Sequence, residues 1–315
     1  MDNACRRVSL MGGSCVSVDA LSERSLSRVA SLEIWFGEVD PRPLAGGITN
    51  KNFIVEDRGR RYVVRVGSDI PVHGIVRANE LAASKAAHLA GLSPRVVHAE
   101  PGILVLDFIE GRTFTPDDIR NPANLERLVD MVRRCHRDIP QYLRGPAAMF
   151  WVFHVVRDYA HTLREGSSRY VPQLPDLLAC AARLEAAVGP IDVVFGHNDL
   201  LAANFIDDGR RLWLVDWDYA GFNSPLFDLG GLASNSELPS GQAEQALSLY
   251  FGKPVDDQLR RSASAMTAAS LLRETMWSMV SEIYSTVDFD YAAYTAENLR
   301  RFEAAYAAFE AIDGA

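Results

Sequence analysis

The 315-residue chain lacks the marks of several large classes of protein. Its four cysteines are scattered, with no CxxC pair and no spacing with histidine that would suit a structural metal site. No apolar run approaches the roughly 18 residues that a membrane-spanning helix requires. Because no repeat, low-complexity tract or signal-peptide pattern is found, we expect a cytoplasmic protein with reduced thiols.

Positive charge is also scarce, because 32 Lys and Arg residues stand against 41 Asp and Glu residues and give a formal net charge of −9. A surface of this sign repels nucleic-acid backbones, so we expect no nucleic-acid partner. A small cationic molecule is a better match than nucleic acid for the electrostatic field of a negatively charged protein. The hydrophobic content of 48% is that of a globular protein, and the length suggests about two domains. The sequence leaves a homodimer open.

Three segments follow one another along the chain. Residues 1–30 begin with many small and polar residues and are predicted to be a flexible N-terminal tail. Residues 31–110 contain short strand patterns with one helix near residues 76–90. Residues 111–315 have apolar spacing near 3.6, broken by short strands around residues 193–217. The predicted fold is α+β, with a small antiparallel sheet and a larger, mostly helical part.

The sharpest motif runs from Gly196 to Asn204 and reads GHNDLLAAN, followed by Asp216 directly after a predicted strand. If the hairpin between them folds back, a carboxylate, an amide and a second carboxylate converge on one point. Oxygen ligands of this kind suit Mg²⁺, which shares its shell with water and substrate phosphates. Phosphoryl transfer needs such a set, with one Asp to accept a hydroxyl proton and two residues to hold the metal.

The pattern H-N-D-L-x-x-x-N followed by strand-D resembles the catalytic and metal-binding loops of the aminoglycoside phosphotransferase and choline kinase superfamily, which is related to protein kinases. The resemblance implies a two-lobed protein-kinase-like fold, with Asp199 as catalytic base and Asn204 and Asp216 as Mg²⁺ ligands. It implies a structural role for His197, for which a general acid is the alternative. Asp228 resembles the residue that pins the catalytic loop through backbone amides, and a helix N-terminal acid is the alternative.

The first lobe is then implied to bind ATP. The turn at residues 46–50 precedes a strand, and its backbone N–H groups suit phosphates. Arg65 lies between valines on the next strand, where a cation is costly unless it is paired, and Glu80 is its predicted partner. By resemblance, Arg65 takes the place of the phosphate-binding lysine of protein kinases. The predicted nucleotide-binding residues are Arg65, Glu80, Gly46, Gly47, Thr49, Asn50, and the hinge residues Asp107 and Ile109.

The C-terminal helices resemble the tail of choline kinases, including the bacterial type. Trp277 and Tyr284 are seven residues apart and fall on one helical face. With Tyr219 and Tyr294 they would form an aromatic box for a quaternary ammonium, although core packing is the alternative for such a stripe. Asp218 is assigned either to the ammonium or to the metal shell.

We therefore predict an ATP-dependent and Mg²⁺-dependent kinase that phosphorylates the hydroxyl of a small amino alcohol, with choline as the first choice. Ethanolamine, thiamine and aminoglycosides are alternative acceptors within the same superfamily. A binding protein that keeps the kinase fold without catalysis is the alternative from another class.

Overall fold

The computed structural model describes residues 18–44 and 50–314. The chain divides into two compact units. The first unit comprises the described residues up to Gly67 together with Val97–Phe108, and the second comprises Ser68–Val96 together with the described residues from Ile109 onward. The segment 68–96, which the sequence analysis placed with the first sheet, thus belongs to the second unit.

The first unit is built on a five-stranded sheet. Its described elements are α1 (Val18–Ala30), β1 (Arg42–Leu44), β2 (Lys51–Asp57), β3 (Arg60–Val66), β4 (Val96–Glu100) and β5 (Ile103–Asp107). The strand order is β1-β2-β3-β5-β4. Strands β2 and β3 form the predicted hairpin, and Arg58 and Gly59 at its turn both have positive φ, as a two-residue type I′ turn requires.

Helix α1 corrects part of the prediction of a flexible tail. Residues 1–17 lie outside the described residues, but the chain from Val18 to Ala30 is helical. Leu26, Val29 and Leu32 recur at intervals of three and pack against the apolar face of the sheet, and Val29 is fully buried. A short amphipathic helix is stabilised mainly by such packing, so composition alone did not reveal it.

The second unit is mostly helical and carries two small sheets. Its described strands are β6 (Arg112–Thr113), β7 (Val194–Gly196), β8 (Phe205–Asp207), β9 (Leu212–Leu214) and β10 (Gly221–Asn223). Its helices are α2 (Arg77–Leu89), α3 (Pro116–Arg120), α4 (Leu125–Asp138), α5 (Val152–Glu165), α6 (Leu174–Val188), α7 (Pro225–Asn235), α8 (Ser240–Phe251), α9 (Asp257–Tyr284) and α10 (Tyr291–Asp313). Among the described residues, no helix is both long and apolar enough to cross a membrane.

Hydrogen bonds explain why the segment containing α2 belongs to the second unit. The Trp217 indole N–H donates to Ser93 Oγ at 2.8 Å, and the Leu214 N–H donates to the Leu92 carbonyl at 2.9 Å. Arg134 on α4 donates to the carbonyl of Ala90 at 3.1 Å, directly after α2. The end of α2 is thereby attached to β9 and α4.

Candidate active site

The loop after β7 is held by side-chain hydrogen bonds. Asn198 has a φ of 64°, a left-handed conformation that asparagine tolerates better than most residues. Its side-chain N–H groups donate to the carbonyls of Tyr219 and Gly221 at 3.0 and 3.1 Å, and its Oδ1 accepts from Asn223 at 3.1 Å. The loop is therefore tied to β10, and Asp199 is presented from a fixed backbone.

Asp228, in the first turn of α7, holds the same loop through a buried carboxylate. Its oxygens accept from the backbone N–H groups of His197 at 2.8 Å and Asn198 at 2.7 Å, and Nε2 of His136 lies 2.8 Å away. The other ring nitrogen of His136 is 2.7 Å from the Tyr250 hydroxyl. Burial opposes ionisation, but the hydrogen bond and field of His136 keep the pKa of Asp228 below its ordinary value. Sequence reasoning identified Asp228 but neither His136 nor Tyr250.

His197 links the loop to the end of β9. Its Nε2 lies 3.0 Å from the carbonyl oxygen of Val215, and its ring centroid is 4.7 Å from that of Trp217. The side chain is fully buried, and this burial lowers the pKa of His197 below 6.5, so the ring is neutral at pH 7. These contacts support the structural role predicted for His197.

The predicted base and metal ligands are connected through the backbone. Asn204 donates its side-chain N–H to the carbonyl of Asp199 at 2.9 Å, so Oδ1 is the atom of this side chain that would bind a metal ion. The Asn204 carbonyl accepts from the Val215 N–H at 3.0 Å, directly before Asp216. Asp216 has a φ of 71°, an uncommon conformation for a non-glycine residue that occurs at functional sites.

This donor set fits Mg²⁺. An amide oxygen and a carboxylate are hard ligands, and Mg²⁺ takes one or two protein oxygens while water and phosphate complete its shell. Within the described parts of the chain, no cluster of three or more His, Cys, Asp or Glu side chains is arranged to hold a metal ion. Asn204 and Asp216 therefore suit an ion that is shared with a phosphate ligand.

Asp199 lies in a field of mixed charge. Desolvation by the surrounding protein raises its pKa to about 8, while the positive charge of Arg273 opposes the shift and Glu274, Asp216 and Asp218 reinforce it. A carboxylate with raised proton affinity is a better acceptor for a hydroxyl proton. The residue as a whole is partly exposed, as contact with a substrate requires.

The predicted nucleotide-binding residues are distributed over both units. Gly46, Gly47 and Thr49 lie outside the described residues. Arg65 is buried in the middle of β3, between Asn52 of β2 and Leu104 of β5. The remaining positions are all partly buried, with Asn50 before β2, Asp107 at the end of β5 and Ile109 two residues later.

Glu80, the predicted partner of Arg65, forms an ion pair with Arg77 one turn earlier on α2. Nη1 of Arg77 is 2.8 Å from the Glu80 carboxylate and 2.9 Å from the carboxylate of Asp218. Both carboxylates are buried, and the Arg77 guanidinium pairs with each of them inside the second unit. Sequence reasoning did not identify Arg77, and Asp218 carries this structural ion pair besides any role in a metal shell or acceptor pocket.

Three of the four predicted box residues form a cluster. Trp277 donates its indole N–H to the Tyr219 hydroxyl at 2.8 Å, and Tyr294 meets the Trp277 ring edge-on at 6.4 Å. His73 stacks on Trp277 at 5.1 Å and 29°, and the guanidinium carbon of Arg273 lies 4.2 Å from the centroid of the Tyr219 ring. The protein's own groups thus cover one face of the Trp277 ring and one face of the Tyr219 ring, and Trp277 is only 6% exposed.

Tyr284 lies apart from this cluster. It is the last residue of α9, its side chain is 41% exposed, and its hydroxyl lies against Gly166 just after α5. Seven residues of helix separate two positions by about 10 Å along the axis, so a shared face does not bring both rings to one ligand. The structure does not bring Tyr284 to the box.

Glu274 is a carboxylate in this cluster to which sequence reasoning assigned no role. It accepts a hydrogen bond from the Tyr294 hydroxyl at 2.8 Å and lies 2.9 Å from Nη1 of Arg273. Its side chain is 20% exposed, whereas that of Arg273 is 5% exposed. The sequence feature that could have pointed to Glu274 is the pair of adjacent charges, Arg273 and Glu274, between Leu271 and Trp277.

Cavities of two sizes border these residues. A narrow one of about 10 Å³ is lined in part by Asp199, Arg273 and Glu274, and has room for about one water-sized group. A larger one of about 190 Å³ is lined in part by Asp218 and Tyr219. As far as the described chain extends, Asp199 is not among the residues that line the larger cavity.

Comparison with known proteins gives consistent results. The sequence model described as choline/ethanolamine kinase matches residues 42–234. Protein LicA of Haemophilus influenzae is 27% identical over 210 residues, covering 65% of this chain and 61% of LicA. Ethanolamine kinase 2 of Mus musculus is 24% identical over 295 residues, covering 84% of this chain and 76% of that protein. A crystal structure of a choline/ethanolamine kinase family protein from Mesorhizobium loti has a TM-score of 0.73 at 24% identity, covering 93% of this chain and 98% of that one.

Proposed function

Since the chain belongs to the choline/ethanolamine kinase family, whose members transfer phosphate to an alcohol group, we propose that it phosphorylates the hydroxyl of a small amino alcohol with ATP as donor. The observation that carries the proposal is the junction of Asp199 and Asn204. The Asn204 side chain donates to the Asp199 carbonyl at 2.9 Å, and the Val215 N–H donates to the Asn204 carbonyl at 3.0 Å. These bonds support the proposal that Asp199 is the base and that Asn204 and Asp216 are oxygen ligands close to it.

In the proposed reaction, Asp199 accepts the proton of the acceptor hydroxyl. The acceptor oxygen forms a bond to the γ-phosphorus, the bond from that phosphorus to the β-phosphate oxygen breaks, and ADP leaves. No covalent intermediate with the protein is needed, so the chain contributes by positioning and by compensating charge. The loop held by Asp228 and Asn198 supplies the fixed position.

Asn204 Oδ1 and the Asp216 carboxylate would hold Mg²⁺, which when bound supplies positive charge to the phosphates. For the nucleotide we propose Arg65, because a buried guanidinium on a strand between valines suits phosphate oxygens. Asn50 and the backbone near Asp107 and Ile109 complete the proposed set.

For the acceptor, an amino alcohol is supported by aromatic rings and carboxylates in the same part of the second unit. Trp277, Tyr219 and Tyr294 form the aromatic cluster, and Glu274 adds a carboxylate to it. Rings attract any ammonium through their faces, and a carboxylate attracts it by charge.

The test is replacement of the base. Asp199→Asn keeps the size of the side chain and removes its proton affinity, so we expect kcat to fall by about 10²- to 10⁴-fold. Turnover is measured by coupled ADP release with choline and ethanolamine as acceptors. The matched control is Asp192→Asn, an exposed carboxylate before β7, which should keep the wild-type rate.

MgATP binding, measured as a thermal shift, should survive in Asp199→Asn. Retained turnover in this variant would overturn the assignment of the base. Absence of turnover in the wild-type protein, with no thermal shift from MgATP, would favour a non-catalytic binding protein.

A further inference from the structure

We propose that Glu274 selects the acceptor by receiving hydrogen bonds from an ammonium group that carries N–H, so that a primary amino alcohol is preferred over a quaternary one. This inference rests on the proposed function. It assigns the discrimination between acceptors to one carboxylate on α9 rather than to the aromatic rings that the sequence points to.

The first observation is the length of the substrate. An amino alcohol with two carbons between oxygen and nitrogen spans only about 3–4 Å, given C–C bonds near 1.5 Å. If the hydroxyl lies at Asp199, the group that binds the ammonium must lie within a few Å of Asp199. Asp199 and Glu274 both line the narrow cavity, whereas Asp199 is not among the described residues lining the larger cavity beside Asp218.

The second observation is the size of that space. This cavity of about 10 Å³ has room for one water-sized group, so it can receive only the ammonium end of a two-carbon amino alcohol. A protonated primary amine is of that size, but a trimethylammonium is several times larger and would have to displace Arg273 or Leu200, which line the same cavity. Packed protein resists such displacement, because neighbouring side chains must move with it.

The third observation concerns the rings. Recognition of a quaternary ammonium requires open aromatic faces, because the cation has no N–H to donate. The imidazole of His73 covers one face of Trp277, and the guanidinium of Arg273 already occupies the cation position over Tyr219. The covered faces weaken the aromatic box as a site for a second cation.

The fourth observation is the state of Glu274. The Tyr294 hydroxyl bonds Oε1 and Arg273 bonds Oε2, so the carboxylate is fixed in orientation before any substrate arrives. Each carboxylate oxygen has two lone pairs, so both oxygens can still accept from an ammonium. With one fifth of its side chain exposed, Glu274 is both oriented and reachable.

The experiment compares four acceptors: ethanolamine, its N-methyl and N,N-dimethyl derivatives, and choline, which carry three, two, one and no N–H donors when charged. We expect kcat/KM of the wild-type protein to fall by about 10- to 100-fold from the first to the last, as loss of hydrogen bonds to a charged group predicts. In Glu274→Gln, kcat/KM should differ between ethanolamine and choline by only about threefold or less. This should come chiefly from a lower kcat/KM for ethanolamine.

The matched control is Glu282→Gln, the same change further along α9. The Glu282 carboxylate pairs with Arg169 at 2.9 Å. This variant should reproduce the wild-type series. If Glu274→Gln fails to fold, Tyr294→Phe provides the second variant, because it keeps the carboxylate and removes the hydroxyl that orients it. Tyr294→Phe should also reduce the difference in kcat/KM between ethanolamine and choline, but by less than Glu274→Gln does.

Two outcomes overturn the inference while leaving the proposed function intact: choline used as well as or better than ethanolamine by the wild-type protein, or an unchanged series in the folded Glu274 variant. A different outcome refutes the proposed function itself. In that case none of the four amines is phosphorylated, although the protein binds MgATP and phosphorylates another alcohol.

Discussion

The carboxylate of Asp228 offers the sharpest test of how the active-site loop is held. In Asp228→Asn the side chain keeps its shape but retains a single acceptor oxygen, and its new NH₂ group is a donor. Three donors converge on the native carboxylate, from His197, Asn198 and His136. The His197 N–H and His136 Nε2 share Oδ2, while the Asn198 N–H bonds Oδ1, so at least one donor loses its acceptor in a buried place.

The size of the effect follows from those contacts. Hydrogen bonds to a charged group contribute about 1.5–3 kcal/mol each, so one lost bond corresponds to about 1.5–3 kcal/mol. Loss of the negative charge beside His136 adds to this, and the roughly 3–5 kcal/mol lost when one partner of a buried ion pair is removed sets the upper end. Since whole domains are stable by about 5–15 kcal/mol, we expect a folded but clearly destabilised variant.

The measurement is urea unfolding at pH 7, followed by circular dichroism, for the wild type, Asp228→Asn and the exposed control Asp192→Asn. ADP release is measured at a temperature where the variant is still folded, and we expect turnover to fall because the loop carrying Asp199 loses its anchor. A loss of unfolding free energy below about 0.5 kcal/mol, the usual range of surface substitutions, would refute the reasoning.

The pH dependence of unfolding tests whether the ionised form of Asp228 stabilises the folded protein. The folded protein holds the pKa of Asp228 below 3.8, because His136 outweighs the opposing effect of burial. The contribution of the ionised carboxylate is therefore present above the unfolded pKa and is lost as the pH falls through the folded one. The difference between wild type and Asp228→Asn should stay constant from pH 7 to about pH 4 and shrink only in stronger acid.

Two further substitutions probe other parts of the second unit. Arg77→Met removes the cation shared by the buried carboxylates of Glu80 and Asp218, and should lower the free energy of unfolding by about 3 kcal/mol, whereas the exposed Arg137→Met should change it little. Gly196→Ala places a Cβ 2.8 Å from Asn198 Oδ1 and 3.1 Å from Asp228 Oδ2, so the loop must shift and kcat should fall at least about tenfold. Gly241→Ala, whose Cβ meets nothing within 4 Å, is its control, and equal kcat values for the two alanine variants would contradict this reading of the loop.

The fold class and family were predictable because their signals are local. The predicted hairpin appears as β2 and β3, and the predicted helix near residues 76–90 appears as α2. The family resemblance, stated on the motif from Gly196 to Asn204 and on Asp216, is confirmed by the match over residues 42–234. Residues close in sequence around a turn must be close in space, so spacing alone carried this information.

Other features depended on contacts between distant residues. Helix α1 was missed because its stability comes from packing Val29 on a sheet far along the chain. Tyr284 was assigned to the box because periodicity gives the face of a helix but not the distance along it. His136 and Arg77 were overlooked because a charged residue in a helical pattern is usually solvated, and only its partner shows that it is buried.

The sequence by itself predicted the reaction class, because two carboxylates and an amide at fixed spacing around a hairpin leave few other chemistries open. Its net charge of −9 also led us to expect a cationic acceptor. Only the tertiary structure decided which group lies near Asp199. The packing of α9 against α7 brings Glu274 to the cavity that Asp199 also lines, and because the two residues are about 75 positions apart, no local pattern encodes their proximity.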